Sequence, residues 1–245
     1  MNVQVLPRNR TPAPDPAGAS RPLQVTIARS TEGAETTFEV DVLQPAVVLD
    51  VLLALQRQDP SLAFRYSCRV SMCGTCALRV DGRSALACQT PVPPTADELV
   101  LEPLAGLPVV RDLIVDMTPF WDEWRRLTPW FVPADGEPRT LAADDPSRAA
   151  VEAGLDCISC GACWSACDLA GGAHGFRGPA ALNRAMVLVA DDRDGARDER
   201  LRAVSESGGV TSCHYIHGCS GACPKGIDPA ASIRRLRRWS ISAPR

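Results

Sequence analysis

Apolar and polar positions alternate along residues 23–29 (LQVTIAR) and 36–43 (TTFEVDVL), with Glu32 and Gly33 between them. That two-residue period predicts a β-hairpin. The next segment, 47–58 (VVLDVLLALQRQ), changes to the three-and-four spacing of an amphipathic helix. Alternation returns over 76–88 (CALRVDGRSALAC), where Asp81-Gly82 marks a tight turn, and again over 98–103 (ELVLEP). A small mixed sheet crossed by one helix, a β-grasp arrangement, accommodates this order.

The second half reads as helical. Asp145-Pro146 and Asp228-Pro229 each pair an N-cap with a first-turn proline, ahead of 146–155 (PSRAAVEAGL) and 230–239 (AASIRRLRRW). Residues 178–192 (GPAALNRAMVLVADD) carry an apolar face at helical spacing. Between the halves, 112–133 (DLIVDMTPFWDEWRRLTPWFVP) holds Phe120, Trp121, Trp124 and Trp130, and is expected to pack one domain on the other. The predicted class is α+β. A Pro-rich polar arm, 1–21, is expected to be disordered. A β-grasp domain over 22–117 is followed by an all-α domain over 118–245.

A chain of 245 residues accommodates one large domain or two small ones. A formal net charge of −3 and an aromatic content of 5% give no basis for nucleic-acid binding. The N-terminal stretch lacks an apolar core and a small-residue cleavage site, so no secretory signal is expected. The longest apolar run, 45–55, is short and interrupted by Asp50, too little to span a bilayer. Eleven cysteines change the picture more than anything else. Their odd number leaves one over in any disulfide scheme, and a thiol-rich chain of a reducing compartment points to metal.

The first group, Cys68-x4-Cys73-x2-Cys76 with Cys88 beyond the hairpin, has the spacing of plant-type [2Fe–2S] ferredoxins. Gly74 and the small Ser71 let backbone approach the core closely. The alternative, a tetrahedral zinc site, favours two separated Cys-x2-Cys pairs, and only Cys73 and Cys76 form one here. The second group runs Cys157-x2-Cys160-x2-Cys163-x3-Cys167, and a third holds Cys213, Cys219 and Cys223-Pro224. In two-cluster ferredoxins the fourth cysteine of each run ligates the other cluster. Crossing the ligands assigns Cys157, Cys160, Cys163 and Cys223 to a [4Fe–4S] cubane. Cys167, Cys213 and Cys219 remain. Where a fourth ligand would stand the residue is Ile216, and three thiolates suit [3Fe–4S]. Four, four and three account for all eleven cysteines. Three clusters of falling ligand charge describe a series of one-electron centres, with potential rising toward the trinuclear end. Lys225, the only lysine, follows Cys223-Pro224, and its charge is expected to stabilise a reduced cluster. The basic stretch RRLRRW reads as a solvated helix face, with anionic lipid as the other reading.

From about Leu23 to its end the chain resembles the iron–sulfur subunits of succinate dehydrogenase and fumarate reductase, the succinate:quinone oxidoreductases. The resemblance rests on YSCRVSMCGTCALRVDG with LACQT, RDLIVDMTPFWDEW, CISCGACWSAC, GPAALNRAMVLVADDRD, and CHYIHGC with CPKGIDP. It implies a ferredoxin-like β-grasp domain and a helical domain of bacterial-ferredoxin type. It further implies that electrons pass from FAD in a flavoprotein partner through three clusters to quinone, at the junction with membrane-anchor subunits. FAD, and haem where present, belong to partner subunits. The implied location is the cytoplasmic face of the inner membrane, peripheral and held by those partners. No catalytic acid, base or hydride site is recognisable, so substrate chemistry falls to the flavoprotein. His214 matches a family histidine beside the [3Fe–4S] cluster, and Ile216 an apolar residue of the quinone pocket; Trp164 is placed in the same vicinity. Two departures stand out. Asp168 occupies the usual proline position after Cys167, and DLAGGAHGF replaces a tryptophan pair. A soluble flavoprotein complex with a non-quinone acceptor is the alternative these departures keep open. His174 and His217 read as ordinary polar residues.

Overall fold

The computed structural model describes residues 20–29, 35–134, 136, 140, 142, 144–172 and 175–242. His174, the Glu32-Gly33 turn and nearly all of the expected N-terminal arm lie outside the described residues.

The N-terminal half is built on five strands. β1 (Ser20–Ala28) and β2 (Glu35–Leu43) pair antiparallel, with Val25 opposite Phe38. α1 (Val48–Gln58) follows, then β3 (Ala77–Val80), β4 (Arg83–Leu86) and β5 (Glu98–Glu102). The sheet order is β2-β1-β5-β3-β4, with β1 and β5 parallel and the other neighbours antiparallel. Alternation does its expected work: Leu23, Val25 and Ile27 of β1 and Leu99 and Leu101 of β5 are buried. α1 lays Val48, Val51, Leu52 and Leu55 into the same core, a mixed sheet covered by one amphipathic helix. At the β3–β4 turn Asp81 and Gly82 both have positive φ, 48° and 76°, as the tightest hairpin connection requires.

A short hairpin, β6 (Val109–Arg111) with β7 (Ile114–Val115), leads into α2 (Thr118–Arg125). The helical half contains α3 (Pro146–Leu155), α4 (Ala162–Ser165), α5 (Pro179–Ala190), α6 (Arg197–Ser205), a 3-10 turn (Val210–Ser212), α7 (Gly218–Gly221) and α8 (Pro229–Ser242). α5 is buried nearly all round, from Ala180 to Val189, and packs against α3, α6 and α8 as the central post. Asp228 caps α8, its carboxylate accepting from the Ala231 amide at 3.0 Å.

Two buried features join the halves. Phe120 of α2 stands between Trp124, Trp121 and Trp164, with ring centroids 5.8, 4.9 and 5.8 Å away, in a cluster with Leu104, Leu107 and Ala180. Arg200 and Asp194, 1% and 0% exposed at their side chains, form an ion pair at 2.9 Å. Arg200 also donates to the carbonyls of Thr128 and Trp130, while Asp194 accepts from the amides of Val132 and Ala196. The pair therefore pins the segment between the halves to α6. Trp130 itself is 58% exposed, so of the aromatics expected to pack the domains together it alone faces outward.

Candidate iron–sulfur sites

All eleven cysteines are described and free of disulfides. The first site lies on the loop between α1 and β3. Arg69 and Ser71 (φ 60° each) and Gly74 (φ 69°) turn the chain repeatedly through left-handed conformations. This curl aims main-chain amides at sulfur. Val70, Met72 and Cys73 donate to Cys68 Sγ at 3.5, 3.3 and 3.3 Å, and Ser71 donates to Cys88 Sγ at 3.4 Å. Such donors offset the charge that four thiolates concentrate. A hydrogen bond from Thr75 brings the Cys73 thiol down to about 6, whereas burial pushes Cys76 up to about 11.

The other seven cysteines sort into two cavities. Cys157, Cys160, Cys163 and Cys223 line one, together with Ala180, Asn183 and Lys225. Cys167, Cys213 and Cys219 line the other, together with His214, Tyr215 and Ile216. Burial pushes the thiols of Cys157, Cys213 and Cys219 up, Cys160 to about 11, and Cys163 well above its ordinary value. Arg184 of α5, tethered through Nε to the Pro129 carbonyl at 2.8 Å, works against that rise at Cys157, and Arg237 of α8 does so at Cys213.

The two cysteine loops share one backbone design. After Cys157, Ser159 (φ 53°) and Gly161 (φ 81°) are left-handed. After Cys213, Tyr215 (φ 56°) and His217 (φ 65°) are left-handed at the same steps. Gly161 then caps α4 and His217 caps α7. The turn hydrogen bonds repeat in order. Ser165, Ala166 and Cys167 bond back to Gly161, Ala162 and Trp164, as Gly221, Ala222 and Cys223 do to His217, Gly218 and Ser220. In this alignment Cys157, Cys163 and Cys167 match Cys213, Cys219 and Cys223, and Ile216 stands where the first loop has Cys160. Its side chain is 68% exposed. α4 and α7 pack directly, and a Cβ at Gly218 would come within 2.5 Å of the Ala166 carbonyl, so the two turns touch through a glycine.

The donor set fits iron–sulfur cores. Among the described residues no three His, Cys, Asp or Glu side chains converge to hold a single metal ion. The thiols are spread around cavity walls instead, which suits a multi-iron core that takes thiolates at separate corners better than one zinc ion drawing its ligands to a point. The first loop also meets the second: a Cβ at Gly74 would lie 2.7 Å from Cys160 Cβ.

His214 and Ile216 share the cavity of the three-cysteine set and are exposed at its rim. Trp164 is not with them. It is 2% exposed, donates from its indole N–H to the Gly106 carbonyl at 3.0 Å, and belongs to the aromatic cluster between the halves. His217 is held by backbone geometry, with Arg234 at 3.5 Å from its Nε2. Several contributors carry no local signal in the sequence. Asn183, 1% exposed, donates to the Gly154 carbonyl and accepts from Ser232 Oγ, tying α3, α5 and α8 together beside the four-cysteine cavity. Asn183 and Arg184 have no spacing that marks them; only the fold brings them beside the four-cysteine set.

Residues 24–122 match the family model of a 2Fe-2S iron-sulfur cluster binding domain, and residues 153–227 that of a 4Fe-4S dicluster domain. The chain is 36% identical over 202 residues to the mitochondrial succinate dehydrogenase [ubiquinone] iron-sulfur subunit 1 of Oryza sativa subsp. japonica, covering 80% of this chain and 72% of that protein. It is 34% identical over 214 residues to the fumarate reductase iron-sulfur subunit of Haemophilus influenzae, covering 82% and 84%. A chain of the Mycobacterium smegmatis Sdh1 complex superposes with a TM-score of 0.82 at 25% identity, over 91% of this chain and 97% of that one.

Proposed function

The chain belongs to the family of succinate dehydrogenase and fumarate reductase iron–sulfur subunits, and we propose that it relays electrons between a flavoprotein subunit and membrane quinone. Cys68, Cys73, Cys76 and Cys88 would hold [2Fe–2S]; Cys157, Cys160, Cys163 and Cys223 would hold [4Fe–4S]; Cys167, Cys213 and Cys219 would hold [3Fe–4S]. When bound, these clusters supply one-electron redox chemistry. The protein's part is to position and insulate. Backbone amides carry the charge of Cys68 and Cys88, burial excludes water from Cys76 and Cys219, and the Gly74–Cys160 contact brings the first two sites together.

The observation that carries this reading is the repeated loop in which Ile216 replaces a cysteine while the backbone stays the same. A three-thiolate site at one end of the series gives the terminus the highest potential, since lower ligand charge favours reduction. Beside it, the exposed Ile216 and His214 offer an apolar surface and a hydrogen-bonding imidazole, the two things a quinone head group needs. Among the described residues no helix is long and apolar enough to cross a membrane, so attachment is assigned to anchor subunits. The first loop, with Val70 and Met72 66% and 64% exposed around its cysteines, is assigned to the flavoprotein side.

The test is purification of the complex from membranes. We expect about nine irons per fully loaded chain, three separable EPR signals and succinate-dependent quinone reduction. Two signals, or an iron count far below that, would defeat the cluster assignment; full loading with a soluble acceptor and no anchor subunits would defeat the quinone end.

A further inference from the structure

Tyr215 follows Cys213 by two positions and lines the cavity shared by Cys167, Cys213 and Cys219. Its hydroxyl is buried and has no hydrogen-bond partner among the described residues. Orphaned buried donors are rare in folded proteins, and each needs an explanation. The ring is held in place from outside: the Arg234 guanidinium lies over it at 5.8 Å and reaches His217 on the same loop. The backbone is left-handed, φ 56°, a conformation costly for an aromatic residue and kept only where the surroundings impose it.

The matched loop shows what this position does. There the residue is Ser159, and both its side chain and its amide bond to the sulfur of Cys157. Tyr215 repeats the amide contact at Cys213. Its hydroxyl sits at the end of a phenol ring, too far out along the side chain to turn back on that same sulfur, and finds no partner among the described residues. Leu169, Phe176, Pro179 and Ile233 make much of the cavity wall apolar.

We propose that the Tyr215 hydroxyl donates a hydrogen bond to a sulfur of the trinuclear core, with Arg234 holding the ring in position, and thereby raises the potential of the terminal centre. This rests on the assignment of [3Fe–4S] to the three-cysteine cavity. Hydrogen bonds to cluster sulfur favour the reduced, more negative state. Tyr215 is thus a tuning residue specific to the last site, a hydroxyl that complements what the missing thiolate already does.

Tyr215→Phe removes the oxygen and keeps the ring. In the purified complex, an EPR-monitored redox titration is expected to show a lower midpoint for the trinuclear signal and unchanged midpoints for the other two clusters. An unchanged trinuclear midpoint, or an equal fall at all three clusters, overturns the proposal. A second measurement needs no variant: Fe–S stretching bands of the trinuclear site in the native complex should shift on exchange into D2O, and the absence of that shift also overturns it. Thermal unfolding of the cluster-free full chain should be unchanged or improved by Tyr215→Phe; a loss of stability means the hydroxyl has a protein partner and counts against the proposal. If the native complex lacks a trinuclear signal altogether, the cluster assignment fails first, and this proposal with it.

Discussion

Ile216 and Cys160 occupy the same step of two matching loops, so on the proposed ligand assignment the difference between a three-iron and a four-iron site reduces to one side chain. Ile216→Cys is expected to raise the iron content by about one per chain and to remove the EPR signal of an oxidised trinuclear cluster, because a fourth thiolate then faces the open corner. Unchanged iron and EPR in a folded variant would mean that the loops differ in more than this residue. Lys225 lines the four-cysteine cavity next to Cys223, and Lys225→Gln should lower the potential of that cluster by removing a positive charge that favours its reduced state; redox titration reads the shift. The thiols carry a pH dependence of their own. Burial raises Cys76 and Cys160 to about 11 from an ordinary 9.0, and Cys157, Cys163, Cys213 and Cys219 move the same way. In the cluster-free chain these groups are protonated at neutral pH. Their stabilising contribution is complete below the unfolded value and is lost as pH rises through the folded values. Cys73, brought down to about 6, acts in the opposite sense, adding stability above the unfolded value. One group against six leaves the balance on the alkaline side: cluster-free protein should lose thermal stability from about pH 9 to pH 11, as melting curves across that range would show. For the same reason cluster insertion should release protons.

Among the elements, those with a strong period were legible. β1, β2, α1, the β3–β4 hairpin, α5 and α8 all lie where alternation or helical spacing placed them, within a few residues. The short ones were not. β6, β7 and α2 have too few residues to show a period, and the hairpin is closed by a contact across it, the Asp116 amide on the Pro108 carbonyl. The charge-dense stretch DDRDGARDER supplies Asp194 and Arg200, the most deeply buried ion pair among the described residues. Charge patterning cannot anticipate this, because the pair is made tolerable by carbonyls and amides from 127–132, some seventy positions away. Breaking one partner leaves the other charged, buried and unpaired. Asp194→Ala is expected to cost about 3–5 kcal/mol and to loosen the segment between the halves, measurable by chemical denaturation; a loss below about 1 kcal/mol, the scale of exposed pairs, would mean that water reaches Arg200.

For the whole molecule, the grouping of the cysteines follows their local spacing, and the two later sets line two separate cavities. Crossing ligands between loops is a property of the motif, and Cys223 lines the cavity of Cys157, Cys160 and Cys163 as such a crossing needs. Side-chain direction was not legible in the sequence. Trp164 sits one residue from Cys163 and looked like a neighbour of the terminal site, but α4 turns it away toward Gly106 and Phe120. Proximity along the chain says nothing about which face of a turn a ring takes. The contact between the two halves is equally silent in the sequence. Gly74 meets Cys160 so closely that a methyl group would have to displace it, and its φ of 69° resists any side chain. The missing carbon thus governs kinetics as well as shape. Tunnelling probability decays exponentially with the gap between centres, so Gly74→Ala should slow passage from the first site to the second even where both remain loaded, as flash-induced reduction of each centre would reveal.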